Sequence, residues 1–600
     1  MPETPPAPAT PPSADALQTA FQDIAQRSQK LLAEFGERSQ RDGPQPLDPL
    51  NLTGTFMEFT SRLLADPSKL VAAQMALMQE YMKLWQATAD RMLGKPAAPV
   101  IEPPKGDKRF ADPAWKDEVV FDYLKQSYLL TARWLQGTVR DVDGVDDRLR
   151  KKVEFYTRQF VDAMSPSNFA HTNPQVVKAT VDSKGENLVK GLQNLLTDLE
   201  RGKGRLAIRQ TDMDAFKVGG NVATSPGKVV FQNNVMQLIQ YAPNTAEVHK
   251  VPLLIVPPWI NKFYILDLKP ENSFIKWCTE QGYTVFVVSW VNPDERLSHL
   301  TFADYMKQGP LAALDAIERA TGERQVSAIG YCLGGTLMAT TLAWMAARGD
   351  NRIVACTFFT AQVDFTEPGE LEVFIDEDQL KSLEDMMAKR GYLDGSEMAT
   401  TFNMLRANDL IWSFVVNNYL LGREPFPFDL LFWNADATRM PPSMHSYYLR
   451  NMYQKNLLMQ PGGLEVEGTP IDLRRISIPI YIQSGKEDHI APAKSVYKAT
   501  QVYSGPVRFM LAGSGHIAGV VNPPRAKKYQ HWLNESGRNP PTLAEWQAGA
   551  VEHPGSWWHD WDRWLSALSG PKVPAREPGE GGAPAIEDAP GSYVKVRVDA

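Results

Sequence analysis

Residues 325–348, QVSAIGYCLGGTLMATTLAWMAAR, constrain the fold of this chain more than any other stretch. The first five form a short apolar run with β-branched members, and Gly334 is succeeded by a series of good helix formers. The order is strand, turn, helix. At the turn stands Gly330-Tyr331-Cys332-Leu333-Gly334, a G-x-C-x-G form of the nucleophile elbow. In such an elbow, small neighbours let strand and helix approach while one residue is held in a strained backbone conformation. The pattern predicts Cys332 at the carboxyl end of a sheet, with the backbone N–H of Leu333 facing any oxyanion formed beside the sulfur. Gly335 and Thr336 extend the small-residue entry. A lone cysteine is also a common small core hydrophobe, so the reading depends on partners elsewhere in the chain.

Those partners come in the order nucleophile, acid, histidine. The stretch IPIYIQSGKEDHIAP carries Glu487, Asp488 and His489 just past a strand, and VRFMLAGSGHIAG carries His516 past the next. Of nine histidines, His489 is the main rival to His516. It adjoins Asp488, however, and a loop residue rarely turns to its own predecessor while also facing the nucleophile. His171, His299 and His445 read as structural. A free thiol titrates near 8.5 and only its thiolate attacks, so Cys332 needs a base. His516 fits that role, with Asp488, in preference to Glu487, holding the imidazole in the right tautomer. A second oxyanion donor is expected from the loop at residues 257–261, PPWIN. Prolines lack an N–H, which leaves Trp259 or Ile260.

Six hundred residues suit a large catalytic domain with an accessory region. A net charge of -7 without a basic stripe argues against a nucleic-acid binder. Cys278, Cys332 and Cys356 are too few for a disulfide framework or a zinc site and suit a reducing cytoplasm; no metal or other cofactor is called for. Residues 1–15 read as a disordered proline-rich tail rather than a signal peptide, and no apolar run of about eighteen residues predicts a transmembrane segment. Residues 16–225 read as a helical N-terminal domain, with a break near Asp66 and Pro67 and a proline-rich linker near 95–108. Its methionine-rich helical face suits either packing within the protein or an external partner or granule surface. From 226 to 600 the period changes. VVFQNNVMQLIQYAP suggests two antiparallel strands, and six nearly continuous apolar runs come after it, VPLLIVPP, TVFVVSW, QVSAIG, IVACTFFTA, IPIYIQSG and PVRFMLAGS. Such runs, separated by helical stretches, predict parallel strands buried on both faces. The expected fold is therefore α/β, of the α/β-hydrolase type, with residues 367–473 inserted as a lid that excludes water.

Taken together, GYCLGGT, PPWINKFYILDL, SWVNPDE, KEDHIAP, SGHIAG and GSWWHDWDRWL make the sequence resemble the polyhydroxyalkanoate synthases, most closely class I. The resemblance implies polymerisation of (R)-3-hydroxyacyl-CoA, with short chains such as 3-hydroxybutyryl-CoA, and release of CoA. It makes Cys332 the acylated nucleophile, His516 the general base and Asp488 its partner. It further implies a cytoplasmic homodimer at the surface of polyester granules, with the growing polyester chain and granule-coat proteins as partners. Trp433 corresponds to an aromatic position of the family's insertion, lining the site or a dimer contact, or is a plain core tryptophan. Asp364 corresponds to an acidic position near the site, or is a capping residue. His559 stands where the family has proline. The chemistry is consistent with cysteine: a thiolate exchanges one thioester for another at near-equal energy and keeps the acyl group activated. Two alternatives share these features, a cysteine thioesterase or other hydrolase of the same fold and a non-catalytic granule-associated protein.

Overall fold

A computed structural model of the protein describes residues 19–20, 22–33 and 52–597; the expected tail at residues 1–15 lies outside them. The chain separates into two compact units, Met1–Asp212 with Thr401–Phe426, and Met213–Thr400 with Pro427–Asp599.

The described part of the first unit is mainly helical. Helices α1 (Leu52–Leu63) and α2 (Pro67–Met92) are separate because Pro67 has no N–H to continue a helix but suits the first turn of a new one. Asp66 caps α2 by accepting from the Lys69 N–H. Helices α3 (Val119–Arg140), α4 (Asp147–Ala163) and α5 (Glu186–Arg201) come next. The proline-rich linker is tied to α3 at Gln126, whose side-chain carbonyl accepts from the N–H groups of Val100 at 2.7 Å and Ile101 at 3.2 Å.

Residues 401–426, expected from the sequence to be part of the lid, group with this helical unit instead. The reason is a set of buried polar contacts. Asn194 donates to the Asn418 carbonyl, Asn418 donates to the Arg209 carbonyl, and the Tyr419 hydroxyl donates to Asp198, which also pairs with Arg209 at 2.7 Å. The approach is close enough that a Cβ at Gly191 would lie 1.9 Å from the Tyr419 carbonyl oxygen.

The second unit is built on a sheet of eleven strands. In chain order these are β1 (Gly227–Gln232), β2 (Met236–Tyr241), β3 (Leu253–Val256), β4 (Val285–Trp290), β5 (Val326–Tyr331), β6 (Ile353–Phe359), β7 (Ile480–Gly485), β8 (Val507–Ala512), β9 (Gln530–Leu533), β10 (Val551–Pro554) and β11 (Glu587–Asp588). Their spatial order is β10-β9-β8-β7-β6-β5-β3-β4-β2-β1-β11. Strands β3 to β8 are parallel, and the strands on either side of them are antiparallel. Every residue of β2, β3, β4, β5 and β7 is buried, which is why these segments lack the alternation of a half-exposed strand. Helix α6 (Leu333–Ala347) leaves β5 at the elbow and is buried along nearly its whole length. This is the α/β-hydrolase arrangement expected from the sequence. The loops after β3, β5, β7 and β8 emerge at one carboxyl edge, and parallel pairing therefore gathers residues far apart in the chain.

A helix near the C-terminus, α7 (Trp558–Ser566), braces that edge. The indole N–H of Trp557 donates to the Gly519 carbonyl at 2.7 Å and that of Trp558 to Val520 at 2.9 Å. Trp561 donates to Thr357 on β6 at 2.9 Å. All three rings are buried.

Candidate active site

The elbow has the strain its glycines suggest. Cys332 has φ 52° and ψ -120°, a conformation rarely adopted by a residue with a side chain, and it is the N-cap of α6. Backbone hydrogen bonds hold it there, the Thr336 N–H donating to its carbonyl at 3.2 Å among them. Its N–H donates to the Phe359 carbonyl at 2.9 Å, and its carbonyl accepts from Gly335 at 2.8 Å. The glycines are steric requirements: a Cβ at Gly330 would lie 2.5 Å from the Gly335 Cα, and one at Gly334 would lie 2.1 Å from the Val256 carbonyl oxygen.

His516 and Asp488 meet across the ends of β7 and β8. His516 Nδ1 lies 2.7 Å from Asp488 Oδ2. The other carboxylate oxygen accepts from the N–H groups of Ile490 and Ala491, each at 2.9 Å, so the acid is fixed by its own loop. Glu487 is exposed while Asp488 is buried, which explains which neighbour can serve. Burial opposes a charge on His516. The Asp488 carboxylate, the Cys332 sulfur and hydrogen bonds to both outweigh it and raise the imidazole well above its ordinary range. The imidazole thus meets the carboxylate through Nδ1 and is held in its charged form by both partners. His489 lies on the neighbouring loop, half-buried, and its carbonyl accepts from Glu370 at 3.3 Å.

The loop expected to supply an oxyanion donor packs beside the elbow, since the Pro257 carbonyl oxygen would lie 2.7 Å from a Cβ at Gly334. Its acceptors are pinned: Thr438 donates through its hydroxyl to the Trp259 carbonyl and through its N–H to Ile260 at 3.3 Å. In a trans peptide the Ile260 N–H points opposite to the Trp259 carbonyl, hence away from Thr438. Leu333, the other expected donor, is the first residue of α6.

Trp433 is buried in the main core, and its indole N–H donates to the Lys262 carbonyl at 2.7 Å, just beyond the loop at residues 257–261. That contact makes it a brace for the loop. Asp364 accepts from the Thr366 N–H at 2.8 Å and pairs with Lys498 at 3.4 Å, the contacts of a capping carboxylate. His559 is exposed on α7.

Sequence reasoning did not find the aromatic surroundings. Tyr448 and Tyr453 are buried in the inserted segment, and their ring centroids lie 5.5 Å apart. Burial is the main reason their hydroxyls are raised, and the Cys332 charge adds to it for both. Phe365 packs on Tyr453 at 4.9 Å, and Trp259 on Tyr448 at 6.2 Å. Tyr331, inside the elbow motif, stacks on His516 at 6.0 Å and donates to the His516 carbonyl at 3.3 Å. Tyr448 and Tyr453 lie on an irregular, partly π-helical stretch that has no sequence signature. Among the described residues, no group of histidine, cysteine and carboxylate side chains is arranged to hold a metal ion, and no helix is long and apolar enough to cross a membrane.

A family model described as "Poly-beta-hydroxybutyrate polymerase (PhaC) N-terminus" matches residues 106–278, and one described as "alpha/beta hydrolase fold" matches residues 252–523. The Poly(3-hydroxyalkanoate) polymerase of Methylorubrum extorquens is 48% identical, over 96% of this chain and 98% of that protein. The Poly(3-hydroxyalkanoate) polymerase subunit PhaC of Rhizobium meliloti (strain 1021) is 50% identical, over 91% of this chain and 89% of its own length. The corresponding subunit of Cupriavidus necator is 44% identical, over 88% and 89%. Identity at this level extends across both units and far beyond the elbow motif, and it makes the chain a member of the poly(3-hydroxyalkanoate) polymerase family.

Proposed function

We propose that the protein polymerises (R)-3-hydroxyacyl-CoA, with short acyl groups such as 3-hydroxybutyryl, into polyhydroxyalkanoate, through an acyl thioester on Cys332. The observation that carries this reading is the His516 imidazole, bonded through Nδ1 to Asp488, with the Cys332 sulfur among the groups that raise it. The thiolate attacks the substrate carbonyl. The oxyanion accepts from the Leu333 N–H and from that of Trp259 or Ile260. The bond to the CoA sulfur then breaks, and the proton held on His516 leaves with the CoA thiol. In the next step His516 takes the proton of a 3-hydroxyl, whose oxygen attacks the Cys332 thioester. An ester bond forms and the cysteine sulfur is released. Asp488 orients the imidazole and stabilises its charge in both steps.

Water would divert the thioester to free acid. The buried aromatic residues Trp259, Phe365, Tyr448 and Tyr453 support its exclusion. Association with polyester granules is supported by α2, where Val71, Met75, Met78, Met82, Trp85 and Met92 recur at three, four or seven residues and are each more than half exposed.

The test is to incubate the protein with 3-hydroxybutyryl-CoA, measuring released CoA together with insoluble polyester. Cys332→Ala is expected to lose both with thermal stability retained. Release of CoA accompanied only by soluble 3-hydroxybutyrate would replace the polymerase with a hydrolase. Full activity of Cys332→Ala would remove the cysteine from the chemistry.

A further inference from the structure

The chain is acidic overall, at -7, yet residues 523–529, PPRAKKY, expose Arg525, Lys527 and Lys528 close together. Arg525 is engaged, donating to the Glu271 carbonyl at 3.2 Å and lying 3.5 Å from its carboxylate. Lys527 and Lys528 form no ion pair among the described residues. The loop is held in shape. The Asn522 side chain donates to the Lys528 carbonyl at 3.1 Å, and Lys527 and Tyr529 adopt φ values of 49° and 61°, left-handed conformations that non-glycine residues seldom take. A fourth cation adjoins it. Lys486 is exposed, with its ammonium group 4.2 Å from the centroid of the Trp532 ring on β9.

These cations border the catalytic loops. Lys486 precedes Asp488 by two residues, and its N–H donates to the Ala512 carbonyl at the end of β8 at 2.8 Å. The next residue, Gly513, donates to Gln530 at 2.7 Å, just past the basic loop and shortly before His516. From the elbow on β5 to β8 there are three strand spacings, roughly 14 Å. The pantetheine arm of CoA, from its sulfur to its first phosphorus, is about as long as four extended residues, roughly 15 Å. The reach of a CoA thioester reacting at Cys332 is therefore of the same order as the span of sheet from the elbow to β8, the strand that leads to this loop.

We propose that the loop at residues 523–529, together with Lys486, receives the phosphate groups of the CoA moiety, with Lys527 and Lys528 as the principal contacts. This rests on the polymerase reading and adds to it the place where the nucleotide end is held. The shared chemistry of recognition is that of a nucleotide phosphate, and ammonium groups bind such anions as mobile point charges.

The experiment compares two substrates on the full chain, 3-hydroxybutyryl-CoA and the 3-hydroxybutyryl thioester of pantetheine, which lacks the phosphates. For Lys527→Gln with Lys528→Gln, KM for the CoA thioester is expected to rise about tenfold at low ionic strength. KM for the pantetheine thioester is expected to change less than about twofold. In the unaltered protein, KM for the CoA thioester should also rise with salt between about 0.01 and 0.15 M, and the double variant should flatten that rise. The single variant Lys528→Gln, at an exposed loop position, should move KM in the same direction by a smaller factor. Equal changes for both thioesters, or no change with the CoA thioester, overturn the proposal. Failure of the unaltered protein to consume either thioester overturns the polymerase reading instead. Adenosine 3′,5′-bisphosphate separates binding to the nucleotide of CoA from binding to phosphate in general. Competitive inhibition that weakens in the double variant supports the former, and inhibition matched by inorganic phosphate at equal concentration overturns it.

Discussion

Replacing Gly334 by alanine tests the elbow most directly. A Cβ at this position would lie 2.1 Å from the Val256 carbonyl oxygen and 2.7 Å from that of Pro257. Such contacts are not tolerated below 3.0 Å, so α6 and the loop after β3 must separate by roughly 1 Å. Both obstacles are backbone atoms, and no side-chain rotation relieves the clash. The two elements that part are those carrying Cys332 and the proposed second oxyanion donor. A misplacement of about 1 Å can cost on the order of a hundredfold in rate, and overpacking of this kind costs roughly 1–3 kcal/mol in stability. Gly334→Ala should therefore lower CoA release from 3-hydroxybutyryl-CoA by about two orders of magnitude while the protein still folds. The assay is colorimetric detection of free CoA, with thermal unfolding measured on the same sample. Gly137→Ala is the control: it lies within α3, nothing stands within 4 Å of the position its Cβ would take, and alanine there should raise stability by roughly 0.5–1 kcal/mol. If Gly334→Ala released CoA within threefold of the unaltered rate at unchanged stability, close packing at the elbow would not be what positions the site.

Other perturbations probe the same geometry. His516→Ala should reduce CoA release by roughly a thousandfold or more, whereas His489→Ala should stay within about tenfold of the unaltered rate; equal, severe losses would assign the base to the wrong histidine. Because His516 holds its proton more tightly folded than unfolded, this stabilisation is complete below about pH 6.5 and is lost as pH rises through the raised value. Asp488→Asn removes the main favourable cause of that shift, so its unfolding temperature should vary less with pH over that range, and parallel curves for the two proteins would argue against the pairing. Trp557→Phe removes the indole donor to Gly519 and should cost about 1 kcal/mol in chemical denaturation with a lowered kcat; an unchanged denaturation midpoint would deny the bond a structural role. Replacing Met75, Met78 and Met82 by glutamine should leave stability within about 0.5 kcal/mol and reduce co-sedimentation with polyester granules, since these side chains are exposed; undiminished co-sedimentation would direct attention to another surface.

The legible parts of this protein are those whose physics is local. The parallel strands announce themselves because burial on both faces demands unbroken apolar runs, and the elbow does so because only glycine fits where backbone meets backbone. The outer strands β9, β10 and β11 are not legible: QHWL, VEHP and ED are short and polar, as strands at the margins of a sheet can be, and only β10 and β11 are edges with one partner. Residues 401–426 look like lid from their place in the chain, but Asn194, Asn418, Tyr419, Asp198 and Arg209 are spread across the sequence and their pairing has no period to detect. The tyrosines beside Cys332 are hidden for a related reason, since an irregular helix gives no fixed spacing from which to infer a face.

The same distinction bears on how the site holds its shape. Cys332 is strained, and strain persists only where the surroundings over-determine it. Here they do so from several directions. Phe359 holds the Cys332 N–H, Gly335 its carbonyl, and Tyr331 stacks on His516. Beyond these, Trp557 and Trp558 fix the segment after His516 from α7. Attraction to its partners alone would let the imidazole follow the sulfur into unreactive arrangements. The buried indoles therefore steady the segment after His516 from a place substrate need never touch, and on the proposed mechanism they keep the base where a 3-hydroxyl can reach it after the sulfur has been acylated.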